Sequence, residues 1–337
     1  MTGDQMKRAA RLLRDSFAWD NHACIPLRPG DTAFLDQLER VRATGIDAVT
    51  LNIGFGPQSL ESHLAVLEGF NAWIAARPDR YAVARSIADL DAARASGRLA
   101  VVFDIEGMAP LDKAGAGIVE SLRQSGVGWM LVAYNKNNRA GGGCLDEDPG
   151  LTAHGRAILE EMKRVGMIVC CSHTGHRTAR DVLEAAGNPV IFSHSNANAV
   201  HSHPRNIPDE LIVACAETGG VVGVNGVGDF LGPGEDYARM IVRHIDHMVG
   251  LVGLDQIGVS ADYVYDQQEV TDYIEKMRDT FGDEQAAQFT CRFAPPETFT
   301  GIAAGLMGLG YSEEDIGKIV GGNWYRVASE VWRMPPT

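Results

Sequence analysis

Residues 167–194 read MIVCCSHTGHRTARDVLEAAGNPVIFSH. Two short apolar runs each close on Ser-His, at His173 and His194, and between them Thr178 to Ala186 repeats with helical periodicity. An apolar run, an amphipathic helix and a second apolar run make a parallel βαβ unit, because parallel neighbours need a long crossover connection. The pattern extends in both directions. Strands are expected at Phe17 to His22, Asp47 to Ile53, Leu99 to Glu106, Gly128 to Tyr134, Met167 to His173, Pro189 to His194, Gly220 to Asn225 and Gln256 to Asp262. Helices are expected at Gln58 to Ala76, Gly155 to Val165, Thr178 to Ala186 and Tyr237 to Val252. This alternation predicts a closed (β/α)8 barrel of the TIM type, with an open doubly wound sheet as the alternative. One domain over residues 1–337 is expected, with an N-terminal helix at 1–16 and a helical excursion over the barrel mouth at 266–298.

The apolar runs end in His22, Glu106, Tyr134, His173, His194, Asn225 and Asp262, and only the second lacks an evident reactive group. In a barrel those ends converge on one pocket, where the chemistry of such folds sits. Asp20, His22 and Cys24 stand two apart, so a strand puts them on one face. Glu106 follows the strand Val101 to Ile105 and precedes Gly107, and a carboxylate there is costly to bury unless it is paired or binds a metal. Two Ser-His strand ends beside Glu106 and His22 point to a metal centre, and imidazole with carboxylate suits zinc, then manganese or iron. Six further histidines are read as structural: His63 on a helix surface, His154 opening a helix, His244 and His247 along one, and His201 and His203 in a solvated loop.

Composition narrows the functional classes. The chain of 337 residues is 45% hydrophobic and 22% charged, the make-up of a folded protein. A net charge of -14 argues against nucleic acid, which is held by clustered basic residues, and leaves a small molecule as the expected partner. No run approaches the roughly 20 apolar residues needed to cross a bilayer, and Met1 to Phe17 lacks the apolar stretch of a secretory signal. A cytoplasmic location without membrane attachment is therefore expected. The six cysteines form neither a CxxC pair nor a disulfide framework and are expected to be reduced. The Gly141-Gly142-Gly143 cluster lacks the strand-GxGxxG-helix context of a dinucleotide site, which disfavours an oxidoreductase.

Several segments resemble the membrane (renal-type) dipeptidase family, the M19 peptidases among the amidohydrolase-like barrels. They are Trp19-Asp20-Asn21-His22, Ile105-Glu106-Gly107, Tyr134-Asn135-Lys136-Asn137-Asn138, Gly150-Leu151-Thr152 with Gly155, Ser172-His173, and Ile191 to Ser195 running on to Arg205-Asn206-Ile207-Pro208-Asp209. The likeness spans nearly the whole chain. It implies a zinc-dependent dipeptidase, possible in homodimeric form, in which Glu106 bridges two zinc ions, His173 and His194 complete one and His22 holds the other. It further implies that Arg205 binds the dipeptide carboxylate and that Asp262 handles the proton of the attacking water. Tyr134 falls where many relatives have a histidine that contacts the scissile group, and a phenol can donate a hydrogen bond there.

Two departures from the family pattern stand out. Cys24 replaces an aspartate, and as thiolate it can bind zinc at about 2.3 Å; if it is not a ligand, one zinc per chain remains. Val264 replaces a second acid two residues after Asp262. These differences leave open a branch that cleaves a non-peptide amide or other C–N bond, and a module that binds metal or ligand without catalysis.

Overall fold

A computed structural model describes residues 3–332. Its strands are β1 (Trp19–Cys24), β2 (Ala48–Phe55), β3 (Tyr81–Val83), β4 (Leu99–Glu106), β5 (Val127–Leu131), β6 (Ile168–Cys170), β7 (Val190–Ile191), β8 (Val222–Asn225), β9 (Ile257–Ser260) and β10 (Tyr263–Val264). Parallel pairing runs β10-β1-β2-β4-β5-β6-β7, and β8 pairs with β9. Backbone bonds join these two sheets. Phe192 N donates to Val221 O at 3.0 Å and Gly223 N to Phe192 O at 2.7 Å, while Asp262 N, just after β9, donates to His22 O at 3.0 Å. The circuit β1, β2, β4, β5, β6, β7, β8, β9 therefore closes on itself, which is the expected (β/α)8 barrel.

Alternation along the strands separates two cores. Val49, Leu51, Val101, Phe103 and Ile105 face outward and pack with Val66, Leu67 and Phe70 of the helix Leu60–Ala75. Ala48, Ala100, Val102, Trp129, Leu131 and Ile168 face the barrel axis, where Trp324 and Trp332 plug the end away from the mouth. Gly258 makes room for that plug, since a Cβ there would lie 2.5 Å from Trp324 Cε2. The N-terminal helix is observed at Gly3–Asp15, and the excursion forms three short helices, Gln267–Lys276, Arg278–Phe281 and Asp283–Gln288.

Several features differ from the sequence expectation. β3 was not expected; its three residues pair with the start of β4, Tyr81 with Leu99 and Val83 with Val101, while β5 takes the later half of β4. So short a run leaves no periodicity to read. Strands β6 and β7 stop before their Ser-His pairs, because the chain curls at the mouth, where His173 has φ 60°. His63 is not on a surface: it is 1% exposed, and its ring fills the space beside Gly54, where a Cβ would lie 2.3 Å from it.

Candidate metal centre

Each site histidine enters the mouth with one ring nitrogen already engaged. His22 Nδ1 donates to Asp104 Oδ2 at 3.0 Å, and Asn52 Nδ2 fixes the other oxygen of Asp104 at 2.8 Å. His173 Nδ1 donates to Asn135 Oδ1 at 2.7 Å, and His194 Nδ1 has Ser193 Oγ as its partner at 2.9 Å. Fixing Nδ1 leaves Nε2 of each ring for the centre, as in sites where an outer partner orients a ligating imidazole. The second strand thus does contribute, through Asn52.

Glu106 lies at the middle of this group. Its Oε2 is 3.2 Å from His173 Nε2 and 3.4 Å from His194 Nε2, whereas its Oε1 is 3.6 Å from His22 Nε2. On the His22 side, Asp262 Oδ1 is 3.4 Å from Nε2 and Cys24 Sγ is 3.6 Å from it. One carboxylate therefore faces two donor sets. The ligand atoms of His22, Cys24 and Asp262 lie within 4.8 Å of one another, as do those of His22, Glu106 and His194. Asp20 turns away, accepting from Ala261 N at 2.8 Å.

The electrostatics call for a cation. Burial pushes the pKa of Glu106 up, against the pull of His22, with Asp104 and Asp262 adding to the rise. Burial also raises Asp262, although His22, Arg205 and the Asn225 hydrogen bond oppose it. Burial drives His173 and His194 well below the usual imidazole range, so both offer neutral lone pairs. His194 Nε2 is buried without a hydrogen-bond partner. Crowded carboxyl groups, neutral imidazoles and an orphaned ring nitrogen fit a divalent metal, whose charge would reverse the local cost of ionising the acids.

Backbone conformation marks the same place. Among the described residues the non-glycine positions with positive φ are Asn135 (57°), His173 (60°), Asp262 (50°) and Cys291 (51°), and the first three are all at the centre. Asn, His and Asp tolerate this region better than other side chains, so the mouth turns sharply at modest strain.

Beside the centre, the buried Arg205 stands 5.4 Å from the Phe230 ring centroid, with Nε and Nη2 lacking hydrogen-bond partners. His203, expected in a solvated loop, is half-buried; its ring is 4.6 Å from Phe230, and its Nδ1 accepts from Arg205 N at 3.1 Å. Tyr134 stacks on His173 at 4.1 Å, and burial raises its pKa, which keeps the phenol a donor. All eight residues singled out from the sequence, His22, Cys24, Glu106, Tyr134, His173, His194, Arg205 and Asp262, meet at this mouth. Asp104, Asn135 and Ser193 were missed as orienting groups. Asp104 had a readable signal, an acid inside an otherwise apolar strand.

Imidazoles and carboxylates at the strand ends of a closed (β/α)8 circuit define an amidohydrolase-like barrel. An amidohydrolase from Pseudomonas aeruginosa shares the architecture with a TM-score of 0.84 at 26% identity, over 96% of this chain and 99% of that one. The chain belongs to the membrane dipeptidase family, peptidase family M19, whose family model matches residues 6–335. An uncharacterized dipeptidase of Schizosaccharomyces pombe is 34% identical over 180 residues, which are 50% of this chain and 42% of the relative. The chain spans about half the length of the first curated relatives it matches. A metallopeptidase from Rhodobacter sphaeroides, liganded with a phosphinate mimic of the dipeptide L-Ala-D-Ala, has the same fold, with a TM-score of 0.77 and 20% identity over 94% of this chain and 100% of that one. Among the described residues no helix is long and apolar enough to cross a membrane.

Proposed function

We propose that this protein is a zinc dipeptidase that hydrolyses the peptide bond of small dipeptides. The observation that carries the reading is the placement of Glu106, one oxygen toward His173 and His194 and the other toward His22, next to a buried Arg205 with free N–H groups. The phosphinate dipeptide mimic in the Rhodobacter sphaeroides relative and the family membership support it. His22, Cys24, Glu106, His173 and His194 would hold two zinc ions, which supply Lewis acidity and lower the pKa of water.

The chain's own groups do the rest. Arg205 binds the terminal carboxylate of the substrate, and its planar fork favours a bidentate contact. Tyr134 donates to the carbonyl oxygen as charge develops there. Asn225 Nδ2 donates to Asp262 Oδ2 at 2.6 Å, which leaves Oδ1 as the atom that accepts the proton of the attacking water and returns it to the leaving amine. Burial pushes the Cys24 thiol up to about 12, so its service as a ligand requires the metal to displace the proton. The six free cysteines accord with a reducing, cytoplasmic setting.

Metal counting by mass spectrometry, joined to a dipeptide assay, tests the reading. Near two zinc ions per chain are expected in the wild type, falling toward one in Cys24→Ser. Arg205→Ala should raise KM for a dipeptide about a hundredfold with a smaller change in kcat. One ion or fewer in the wild type, or no turnover of any dipeptide by zinc-loaded protein, overturns it.

A further inference from the structure

The cavity above the centre has two apolar walls that rise from different arcs of the barrel ring. On one side stand Phe55 at the end of β2, Tyr134 after β5, and Tyr273 and Phe281 from the excursion. Ring centroids link them, Phe55 to Tyr134 at 4.9 Å, to Tyr273 at 5.1 Å and to Phe281 at 6.2 Å. On the other side stand Val227 after β8, Val264 in β10, and Phe289 and Phe293 from the far end of the excursion, with Phe289 and Phe293 5.9 Å apart. This second wall packs with Phe230, the ring beneath Arg205. The centre lies between the two.

Beyond Glu106, Asp262, His173 and Arg205, the one charged group lining the cavity among the described residues is Glu269. Its carboxylate is already occupied: Oε1 accepts from Tyr273 Oη at 3.2 Å and Arg28 Nη1 at 3.4 Å, and Oε2 accepts from Leu27 N at 3.3 Å. A charged substrate side chain would thus lose water at either wall and find the one further carboxylate already bonded, which is costly. An apolar one gains by leaving water for either wall.

We propose that the cavity selects substrates with a large apolar or aromatic side chain on both sides of the scissile bond. This deepens the dipeptidase reading and rests on it for the orientation of the substrate. With the carboxylate on Arg205, the carboxyl-terminal side chain falls to the wall of Val227, Val264, Phe289 and Phe293. The amino-terminal side chain then falls to the wall of Phe55, Tyr134, Tyr273 and Phe281.

Two dipeptide series test this, Xaa-Ala and Ala-Xaa, with Xaa as Ala, Leu, Phe, Asp or Lys. In each series kcat/KM should favour Leu and Phe over Ala, Asp and Lys by at least about tenfold. Phe281→Ala should lower the Phe-to-Ala ratio in the Xaa-Ala series alone, and Phe289→Ala in the Ala-Xaa series alone; both side chains are half-buried, so folding is not at stake. Equal or greater turnover of the Asp or Lys members overturns the proposal, as does a variant that leaves both ratios unmoved. Calorimetry with non-hydrolysable phosphinate analogues of Phe-Leu and Ala-Ala separates this from the parent reading. If no dipeptide is cleaved but the Phe-Leu analogue binds at least about tenfold tighter, selection stands while the dipeptidase reading falls; equal affinities overturn the selection itself.

Discussion

The floor of the cavity is polar, buried and contributed by strand ends scattered from His22 to Asp262, whereas its roof is apolar, partly exposed and contributed by one stretch, residues 267–293. On the floor every site imidazole is locked by a second bond, to Asp104, Asn135 or Ser193. The roof has no such redundancy: the helix Gln267–Lys276 contains no fully buried residue, and its neighbours span only four and six residues. Reactive groups must be held to fractions of an ångström, while apolar selection tolerates a looser surface. Elements with few buried contacts open at lower free energy, so the roof is the part able to admit a substrate. Damage to the floor should abolish chemistry, and damage to the roof should alter which substrate is taken.

The largest effect is expected at the carboxylate shared by both donor sets. Glu106→Gln keeps the shape but removes the charge facing His22, His173 and His194. It should cost about a thousandfold or more in kcat/KM for every substrate alike, with a fall in bound metal. A loss confined to some substrates would place Glu106 with the selecting walls and break the division between floor and roof.

A middle-sized effect is expected at Asn135, which supports the floor without lining up as a ligand. Asn135→Ala removes the acceptor of His173 Nδ1 and also strains a backbone held at φ 57°. Asn135→Gly removes the same acceptor and relieves the strain. If orientation of His173 is what matters, both variants should weaken metal binding by about ten- to a hundredfold in a chelator competition. Rescue by glycine would show that the turn, and not the hydrogen bond, is the contribution.

The same contrast governs what could be read from the sequence. Strand ends obey a period, so an apolar run that stops at His or Glu announces both its strand and its place at the mouth; His173 and His194 were legible for that reason. Asp104 stood out as an acid in an apolar strand, but its pairing with His22 of another strand is a tertiary fact, and Asn135 was hidden by a left-handed turn that no local pattern requires. In the excursion the helical character was readable, but the inward aim of Tyr273, Phe281 and Phe289 was not, because helices this short fix no face by periodicity. His63 misled because its burial depends on the absent side chain of Gly54, a tertiary fact.

The smallest effect is expected at the hinge between the two regions, Asp266. Its Oδ1 accepts from Gln268 N at 3.2 Å and Glu269 N at 3.4 Å, capping the first roof helix, and its Oδ2 accepts from Arg28 Nη1 at 2.9 Å, tying that helix to the loop after β1. Asp266→Ala removes the cap, worth about 1 kcal/mol, and an ion pair in which Arg28 is 41% exposed and which adds little. Because no floor residue depends on it, kcat for a large apolar dipeptide should change by less than about twofold while KM rises about fivefold, the rise expected if roughly 1 kcal/mol of roof order must be restored on binding. Hydrogen exchange should show faster amide exchange in 267–288 and unchanged protection in β4. A fall in kcat of the size expected for Asn135→Ala would mean that the roof positions reacting groups as well as selecting them, and the two regions would then act as one.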